Sequence, residues 1–194
     1  MCSRYYIDAN MEDEIAKAIN NIDKRILLEQ FTGEVRPNDS VPIIEKTKQG
    51  LRLNTCKWGY PLSKSKNLVI NARVESVMDK PSFKNGILYH RLAVPASGFY
   101  EWNFMKEKST FTRADSPVLY MAGFCDWFEN ECQFVILTTE ANDSMRKVHD
   151  RMPLILEEEQ LADWFDNEKV SRILHQTPVM LKRQAEYEQQ CLVL

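Results

Sequence analysis

The sequence predicts a single α+β domain over residues 1–194, in which a strongly bent antiparallel or mixed sheet, or an open barrel, carries peripheral helices. Short strand-like segments follow one another closely through the middle of the chain, and helical periodicity is confined to its two ends. Strands and helices do not alternate regularly, which argues against a doubly wound parallel sheet. A chain of 194 residues is long enough to bury a substantial core in one domain.

The first predicted element is an amphipathic helix over residues 11–30. Its apolar side chains recur at helical spacing: Ile15, Ala18, Ile19, Ile22, Ile26 and Leu27. Asn10 is a suitable N-cap, and Asp13 and Glu14 in the first turn interact favourably with the positive end of the helix dipole.

After Gly33 the pattern changes to short strands separated by turn residues and prolines. The predicted strands cover residues 41–46, 51–58, 67–73, 90–95, 98–104, 117–125 and 132–139. The prediction is completed by a short helix at 141–148, a strand at 154–156, helices at 157–166 and 170–174, and a last strand near 178–181.

The composition, with 44% hydrophobic and 27% charged residues, is typical of an ordinary globular protein. No apolar run approaches the length of a membrane span, and the polar start does not resemble a signal peptide, so we expect a cytoplasmic protein. The five cysteines form no CxxC pair and the three histidines are scattered, so we expect neither a disulfide framework nor a metal site. Cys56, Cys125 and Cys132 are expected to be buried as small apolar side chains.

The charges are distributed unevenly along the chain. The net charge of −3 argues against indiscriminate binding of nucleic acid. Residues 31–115 carry 14 basic and 8 acidic side chains, a net charge of +6, whereas residues 116–194 carry 7 basic and 14 acidic ones, a net charge of −7. A basic middle segment is typical of a face that meets a polyanion, although folding can equally mix these charges into a neutral surface.

Cys2 is the first candidate functional residue. Once Met1 is removed, it carries two nucleophiles, an α-amine with a reference pKa of about 8 and a thiol with a reference pKa of about 8.5. Such a pair can form a Schiff base with an aldehyde and then close it into a five-membered ring. A cysteine at position 2 has this meaning only if the rest of the chain builds a site around it.

Three later segments combine polar side chains with strand-like apolar flanks. In the first, Asn71 and Arg73 lie two residues apart on one face of a strand, a pairing that suits a phosphate or carboxylate. They can equally be a turn cap and a surface arginine. In the second, Pro95-Ala96-Ser97-Gly98 permits close backbone packing before an aromatic run that contains Glu101. Glu101 is either a partly buried acid suited to proton transfer or an exposed acid on an edge strand.

The third segment contains Thr138 and, further on, His149-Asp150-Arg151-Met152-Pro153. A histidine at this position can move protons near neutral pH, although a single histidine is more often structural. Asp150 and Arg151 can equally form a surface ion pair of little energetic weight.

Taken in order, these segments closely resemble the SRAP family, the SOS response-associated peptidase-like, abasic-site processing proteins. The resemblance depends on Cys2, the Asn-Ala-Arg segment at 71–73, the Pro-Ala-Ser-Gly-Phe-Tyr-Glu-Trp segment at 95–102, Thr138, and the His-Asp-Arg-Met-Pro segment at 149–153. It runs from residue 2 to about residue 156. Four features differ from the family pattern: Ser3 replaces a glycine, the stretch at 61–66 after Tyr60 contains no aromatic residue, Val35-Arg36-Pro37 replaces an Asn-Ala-Pro loop, and the C-terminal motif is reduced to Pro178-Val179.

The resemblance implies a protein that forms a covalent thiazolidine crosslink with the ring-opened aldehyde of an abasic site in single-stranded DNA. Cys2 would be the nucleophile, Asn71 would hold the residue or the sugar, and Glu101 and His149 would move protons. Arg4 and Arg73 match positions that are expected to hold phosphates. Thr138 matches a position that is expected to contact the sugar-phosphate. Lyase and autoproteolytic-type activities are also implied. We expect no cofactor, a monomer, and a nucleoid-associated location if the protein is bacterial.

Two other functions are compatible with the sequence. A cysteine peptidase or amidohydrolase of the N-terminal-nucleophile kind would use Cys2 to attack a peptide carbonyl, with its own amine or His149 as the base. Such an enzyme needs an oxyanion hole, which the sequence does not identify. Alternatively, the protein is a non-catalytic module that binds single-stranded DNA.

Overall fold

The computed structural model of the protein describes residues 2–19, 28–62 and 65–185. The strands are β1 (Arg4–Ile7), β2 (Gly33–Val35), β3 (Ser40–Thr47), β4 (Gly50–Trp58), β5 (Tyr60–Leu62), β6 (Ser65–Val69), β7 (Asn71–Arg73), β8 (Arg91–Ala96), β9 (Gly98–Trp102), β10 (Lys108–Thr112), β11 (Leu119–Phe128), β12 (Glu131–Glu140), β13 (Arg151–Pro153), β14 (Ile155–Leu156) and β15 (Lys182–Ala185). The helices are α1 (Glu12–Ala18), α2 (Pro81–Tyr89), α3 (Gln160–Trp164) and α4 (Val170–Leu174).

Five strands close into a barrel in the order β12-β4-β3-β8-β11, with β11 pairing back onto β12. Four of the five seams are antiparallel, and the seam between β12 and β4 is parallel and short, with the register Gln133↔Lys57 and Phe134↔Trp58. Further along β12, the short strand β7 takes over as the parallel neighbour, with Ile136 opposite Asn71. The predicted α+β class is confirmed, and the barrel is closed rather than open.

A second, antiparallel sheet has the strand order β15-β10-β9-β1-β2. β1 lies inside this sheet, with Arg4 opposite Tyr100 on one side and Tyr5 opposite Val35 on the other. Cys2 therefore precedes a strand that is hydrogen-bonded along both edges, which restricts its position relative to the rest of the fold.

A short aromatic series joins the two sheets. The ring of Tyr5 on β1 lies 5.2 Å from that of Trp58 on β4, which in turn stacks on Phe134 of β12 at 6.3 Å. All three side chains are buried, and the Trp58 indole donates a hydrogen bond of 3.0 Å to the backbone oxygen of Ile70. Because the indole N–H has an acceptor, Trp58 can be buried without the cost of an unsatisfied donor.

The close approach expected from Pro95-Ala96-Ser97-Gly98 occurs at Gly98. A Cβ atom placed there would lie 2.7 Å from the backbone oxygen of Phe111 and 2.7 Å from the Tyr6 ring. Any larger residue would push β9 away from β10 and displace Tyr6, so glycine is required at this position by packing.

Seven predicted strands correspond to observed ones, with one change: the strand predicted at 67–73 is divided into β6 and β7 at Ile70. The strands β1, β2, β5, β10 and β13 and the helix α2 were not predicted. Helix α2 begins at Pro81, whose missing N–H is compatible with the first helical turn.

Several predicted helices and one strand are wrong in extent. The helix predicted at 11–30 ends at Ala18, because Ile19 adopts an extended conformation with φ −121° and ψ 124°. Residues 28–31 form a separate 3₁₀ turn, and residues 20–27 of the prediction lie outside the described residues. The segment predicted as a helix at 141–148 is a series of turns, the helix predicted at 157–166 is confined to α3, and the last strand lies at Lys182–Ala185 rather than 178–181.

Among the described helices, none is both long and apolar enough to cross a membrane.

Candidate active site

Cys2 is fully buried at the start of β1. The side-chain amide of Asn71 donates a hydrogen bond of 2.8 Å to the backbone oxygen of Cys2, and the Cys2 Sγ lies 3.8 Å from the backbone oxygen of Arg4. Asn71 is thus not a turn cap: it connects β7, at the edge of the barrel, to the N-terminal residue. This contact brings two of the residues predicted for the site together.

Burial raises the pKa of the Cys2 thiol far above its ordinary range, and the negative charge of the Glu101 carboxylate raises it further. The thiol is therefore protonated at neutral pH. A thiol in this state reacts only if a nearby group takes its proton.

Glu101 lies on β9, an internal strand of the second sheet, and is 4% exposed. Its Oε1 accepts a hydrogen bond of 3.3 Å from the backbone N–H of Trp102, and in the strand register it lies opposite Ser109, which is also buried. The interpretation of Glu101 as an exposed acid on an edge strand is therefore wrong. The side chains of Tyr100 and Trp102, which alternate with it, are only partly buried.

His149 lies at the end of the turns that follow β12. Its Nδ1 is 2.9 Å from the backbone N of Arg151 and 2.8 Å from an Asp150 carboxylate oxygen. With Nδ1 unprotonated it accepts from the Arg151 N–H, and with Nδ1 protonated it can donate to Asp150. The side chain is 27% exposed, so the imidazole is accessible from the solvent.

The surface ion pair considered for Asp150 and Arg151 is not formed. Arg151 is buried, and its guanidinium binds both carboxylate oxygens of Glu75 at 2.6 and 2.9 Å and the backbone oxygen of Thr138 at 2.6 Å. Glu75 follows the Asn71–Arg73 strand directly. Arg151 therefore links the histidine segment to the asparagine segment, a role that sequence reasoning missed because the partners are far apart in the chain.

Substitution of Glu75 by glutamine is expected to destabilise the fold by about 2 kcal/mol, because it leaves the buried Arg151 guanidinium without its anion. This is below the roughly 3–5 kcal/mol for a fully buried pair, since Glu75 is half exposed and screened. The Arg151 hydrogen bonds lower the pKa of Glu75. Its contribution is thus present above the unfolded pKa of about 4.3 and is lost as the pH falls through the folded value.

Denaturant unfolding of the wild type and Glu75→Gln at pH 7 and pH 3 measures this difference, which should shrink at the lower pH. Asp163→Asn is the matched control, because Asp163 pairs with Lys169 and Arg172 at the surface. A Glu75→Gln protein as stable as the wild type at pH 7 would contradict a linking role for the Arg151 pair.

Thr138 does not reach the surface. Its side chain is fully buried, and its hydroxyl donates to the backbone oxygen of Ala72 at 3.4 Å. The contact with a sugar-phosphate expected for Thr138 is therefore not available in this conformation. The Thr138 hydroxyl instead stabilises β7 by its hydrogen bond to Ala72, the residue between Asn71 and Arg73.

Arg73 is exposed and lies between two clefts. One cleft, of about 620 Å³, is lined by Asn71, Arg73 and Lys80 together with apolar side chains such as Phe83. The other, of about 410 Å³, is lined by Arg73, Arg146 and Arg151 together with acidic side chains. Both clefts meet at Arg73, two residues along β7 from Asn71, whose side chain holds the Cys2 backbone.

Arg4 lies on β1, two residues after Cys2, and its side chain is partly exposed. Its guanidinium contacts Glu34 at 3.2 Å and lies 5.3 Å from the centre of the Trp102 ring. Glu34 also binds Arg36 at 2.8 Å, and that hydrogen bond lowers the pKa of Glu34. Arg4, Arg36 and Glu34 together carry one net positive charge next to β1.

Partly buried aromatic rings continue from Arg4 across this sheet. Tyr6 stacks on Tyr100 at 5.3 Å, Tyr100 lies 6.5 Å from Trp102, and the Lys108 ammonium lies 4.1 Å from the centre of the Tyr100 ring. We call Arg4, Tyr6, Tyr100, Trp102 and Lys108 the aromatic platform. The alternation in β9, with Glu101 inward and its neighbours outward, is the sequence signal that could have identified it.

The sequence of the chain matches that of a known protein family. The family of SOS response associated peptidases (SRAP) matches residues 1–191. The chain belongs to the SRAP family. The SRAP resemblance that the sequence predicted is confirmed.

The chain is similar to several SRAP proteins over most of its length. It is 29% identical over 182 residues to abasic site processing protein YoqW of Bacillus subtilis, which covers 86% of this chain and 80% of that protein. It is 30% identical over 179 residues to abasic site processing protein YedK of Escherichia coli, covering 87% and 81%. With abasic site processing protein HMCES of Pongo abelii it shares 30% identity, over 72% of this chain and 51% of that protein.

Solved structures share the fold. A protein from Bordetella bronchiseptica matches 96% of this chain and 100% of its own with a TM-score of 0.78 at 22% identity. A protein from Bacteroides thetaiotaomicron matches 95% and 91% with a TM-score of 0.75 at 23% identity. These likenesses concern the architecture of the SRAP domain.

Proposed function

We propose that this SRAP protein captures abasic sites in single-stranded DNA by forming a covalent crosslink through Cys2. The observation that carries the proposal is the arrangement around the second residue: Asn71 holds its backbone, and the negative charge of Glu101 raises the pKa of its buried thiol. The abasic site processing proteins to which the chain is similar support the same substrate.

The chemistry needs both nucleophiles of Cys2. After removal of Met1, the α-amine adds to the C1′ aldehyde of the ring-opened deoxyribose, and loss of one water gives an imine. The Cys2 sulfur then bonds to the imine carbon while the imine nitrogen gains a proton, which closes a thiazolidine ring. One C–N and one C–S bond form, and one water is released. Because both nucleophiles belong to one residue, the second step is intramolecular.

Proton transfer determines the order of these steps. The thiol is protonated at neutral pH because its pKa is raised, so the amine reacts first. Glu101 accepts the thiol proton as the sulfur attacks, and it can return that proton to the imine nitrogen. We assign His149 to protonation of the departing hydroxyl, since its imidazole has partners for both protonation states.

The strand is held by charge and by stacking. Arg73 and Arg4 contact phosphates of the strand, and the aromatic platform offers rings on which bases can stack. The platform takes the place of the aromatic residues that the sequence lacks after Tyr60. Thr138 contributes by supporting the strand that carries Asn71 and Arg73.

Substitution of Arg73 by glutamine is expected to weaken binding to single strands of any sequence and to reduce the slope of log affinity against log salt by about 0.7, the value for one phosphate contact. Fluorescence anisotropy with an undamaged single strand at several salt concentrations measures this slope. Arg52→Gln is the matched control, because Arg52 is exposed but paired with Glu45 elsewhere on the barrel. An unchanged slope for Arg73→Gln would remove Arg73 from the binding surface.

A peptidase function is less compatible with this site. A cysteine that attacks a peptide carbonyl as the first nucleophile needs a lowered thiol pKa. Burial raises the pKa of the Cys2 thiol instead. A thiol that reacts second, after an amine has already bound the aldehyde, does not need a lowered pKa.

The decisive experiment incubates protein lacking Met1, verified by mass, with a single strand containing one abasic site. Denaturing gels and intact-mass analysis should show an adduct equal to the sum of both masses less one water, and Cys2→Ala should form none. No adduct from protein verified to lack Met1 would overturn the proposal. Peptide cleavage without an adduct would favour a peptidase, and salt-sensitive binding without an adduct would favour a non-catalytic module.

A further inference from the structure

Three cysteines that are far apart in the sequence meet in the barrel. Cys56 on β4, Cys125 on β11 and Cys132 on β12 place their sulfur atoms within 4.8 Å of one another. Cys56 is 3% exposed, Cys125 is 5% exposed, and Cys132 is partly buried. Their predicted burial is confirmed for Cys56 and Cys125, but the sequence did not predict that the three thiols form a cluster. We call them the cysteine trio.

The trio points into the barrel. Phe124, the residue before Cys125, packs against Phe83 of helix α2, which covers the outside of β11. Because side chains alternate along a strand, Cys125 faces the interior. Phe134 is opposite Cys125 in the β11–β12 pair, so its side chain lies on the same, interior face. Cys132 is two residues before Phe134 and therefore faces the interior as well. In the parallel β4–β12 pair, Lys57 is opposite Gln133. The residues one position earlier on each strand, Cys56 and Cys132, are therefore opposite each other.

This geometry approaches that of a metal site. Zinc binds thiolates at about 2.3 Å, so two sulfurs of a tetrahedral site lie roughly 3.8 Å apart. Sulfur atoms that are at most 4.8 Å apart need to move by about 1 Å or less to reach that separation. Three thiolates form a soft donor set, which selects zinc or monovalent copper over magnesium, calcium or manganese.

His90 is connected to two members of the trio, to Cys125 directly and to Cys132 through Trp127. The backbone oxygen of His90 accepts a hydrogen bond of 2.9 Å from the backbone N–H of Cys125, and its imidazole contacts Trp127, which pairs with Cys132. A rotation of the imidazole toward the sulfurs would complete a site of three cysteines and one histidine, a common structural zinc arrangement.

We propose that the cysteine trio binds one soft metal ion, zinc in the first instance, and that this ion reinforces the closure of the barrel. The β12–β4 seam has only two paired positions, as few as any seam in the ring, and it is the parallel one. An ion held by Cys56 of β4 and Cys132 of β12 bridges that seam, and Cys125 ties it to β11. Binding exchanges thiol protons for the ion, so up to three protons are released and no oxidant or reductant is needed.

The test uses the full chain, purified under reducing conditions, stripped with a chelator and titrated with zinc alone. We expect one zinc per chain, an increase in melting temperature on binding, and loss of three alkylatable thiols when zinc is present. Cobalt, used as a spectroscopic substitute, should give the intense thiolate-to-metal absorption of tetrahedral sulfur coordination. Cys56→Ser and Cys132→Ser should each weaken zinc binding by more than about 100-fold, the upper range for losing a supporting contact.

Cys2→Ala is the matched control, because it removes a buried thiol outside the trio and should bind zinc as the wild type does. The cobalt spectrum and thiol protection of the wild type keep the proposal testable if a serine variant does not fold. Failure of the wild type to bind one zinc would overturn it. So would equal affinity of Cys56→Ser and the wild type, or loss of binding in Cys2→Ala, which would assign the metal to the candidate active site.

Discussion

Insertion of one glycine between Met1 and Cys2 is expected to abolish the stable DNA adduct. Removal of Met1 then exposes the amine of the glycine, and the nitrogen of Cys2 becomes an amide that cannot form a Schiff base. The thiol remains, but a thiol alone gives only a reversible addition to an aldehyde. The stable ring requires amine and thiol on the same carbon skeleton.

The measurement is the yield of adduct with an abasic single strand on a denaturing gel, after mass analysis has verified the new N-terminus. Binding to an undamaged single strand serves as the control, since Arg73 and the aromatic platform are unchanged. A glycine-extended protein that crosslinks as fast as the wild type would contradict the amine-first mechanism. It would point to the thiol as the first nucleophile, as a peptidase would require.

Replacement of Glu101 by glutamine is expected to slow crosslinking by roughly 100-fold, the lower range for loss of a general acid–base group. The same change should have the opposite effect on the intrinsic reactivity of the thiol. The Glu101 charge raises the pKa of Cys2, so its removal lowers that pKa and makes more thiolate available. Burial, the larger cause of the raised pKa, remains, so the gain in thiolate does not compensate for the lost proton acceptor.

Two readouts distinguish this role from a structural one. Single-turnover crosslinking at saturating DNA should slow in Glu101→Gln, whereas alkylation of Cys2 by a small reagent at alkaline pH should become faster. Glu107→Gln, at the exposed tip of the β9–β10 hairpin, is the matched control. If crosslinking and alkylation both slow together, Glu101 supports the fold and does not carry the proton.

The candidate site is assembled from parts that are stabilised separately. Asn71 and Arg73 are carried by β7, an addition to the barrel, whereas Cys2 and Glu101 belong to the second sheet. The hydrogen bond of the Asn71 amide and the Tyr5–Trp58–Phe134 ring contacts join the barrel to the second sheet. Changes that separate the sheets should therefore impair crosslinking before they unfold the barrel.

Several features could be predicted from local sequence. Alternating apolar residues predicted seven strands, because each strand has one face on a core and the period of two is visible in the chain. The SRAP segments predicted the family, because Cys2, Asn71, Glu101 and His149 keep a recognisable order. Local pattern failed where neighbours decide the conformation: β1 has four residues, and it is a strand because β2 and β9 pair with both its edges.

The helix predicted at 11–30 is the clearest failure of periodicity. Its isoleucines recur at helical spacing, yet Ile19 is extended and buried. Burial of an apolar side chain is worth more than the small helix preference of one residue, so packing of Ile19 overrides the pattern.

The identity of the reactive residues and the α+β class are properties of the chain itself, because they depend on residue types and on short repeating patterns. The environment of those residues arises only when distant segments meet. The Glu101 charge on β9 raises the pKa of Cys2, which precedes the neighbouring strand β1. Arg151 binds Glu75, which is 76 positions away in the sequence. The three cysteines of the trio come from three different strands. Each of these depends on distances through space, which strand order and barrel closure determine and which sequence separation does not reveal.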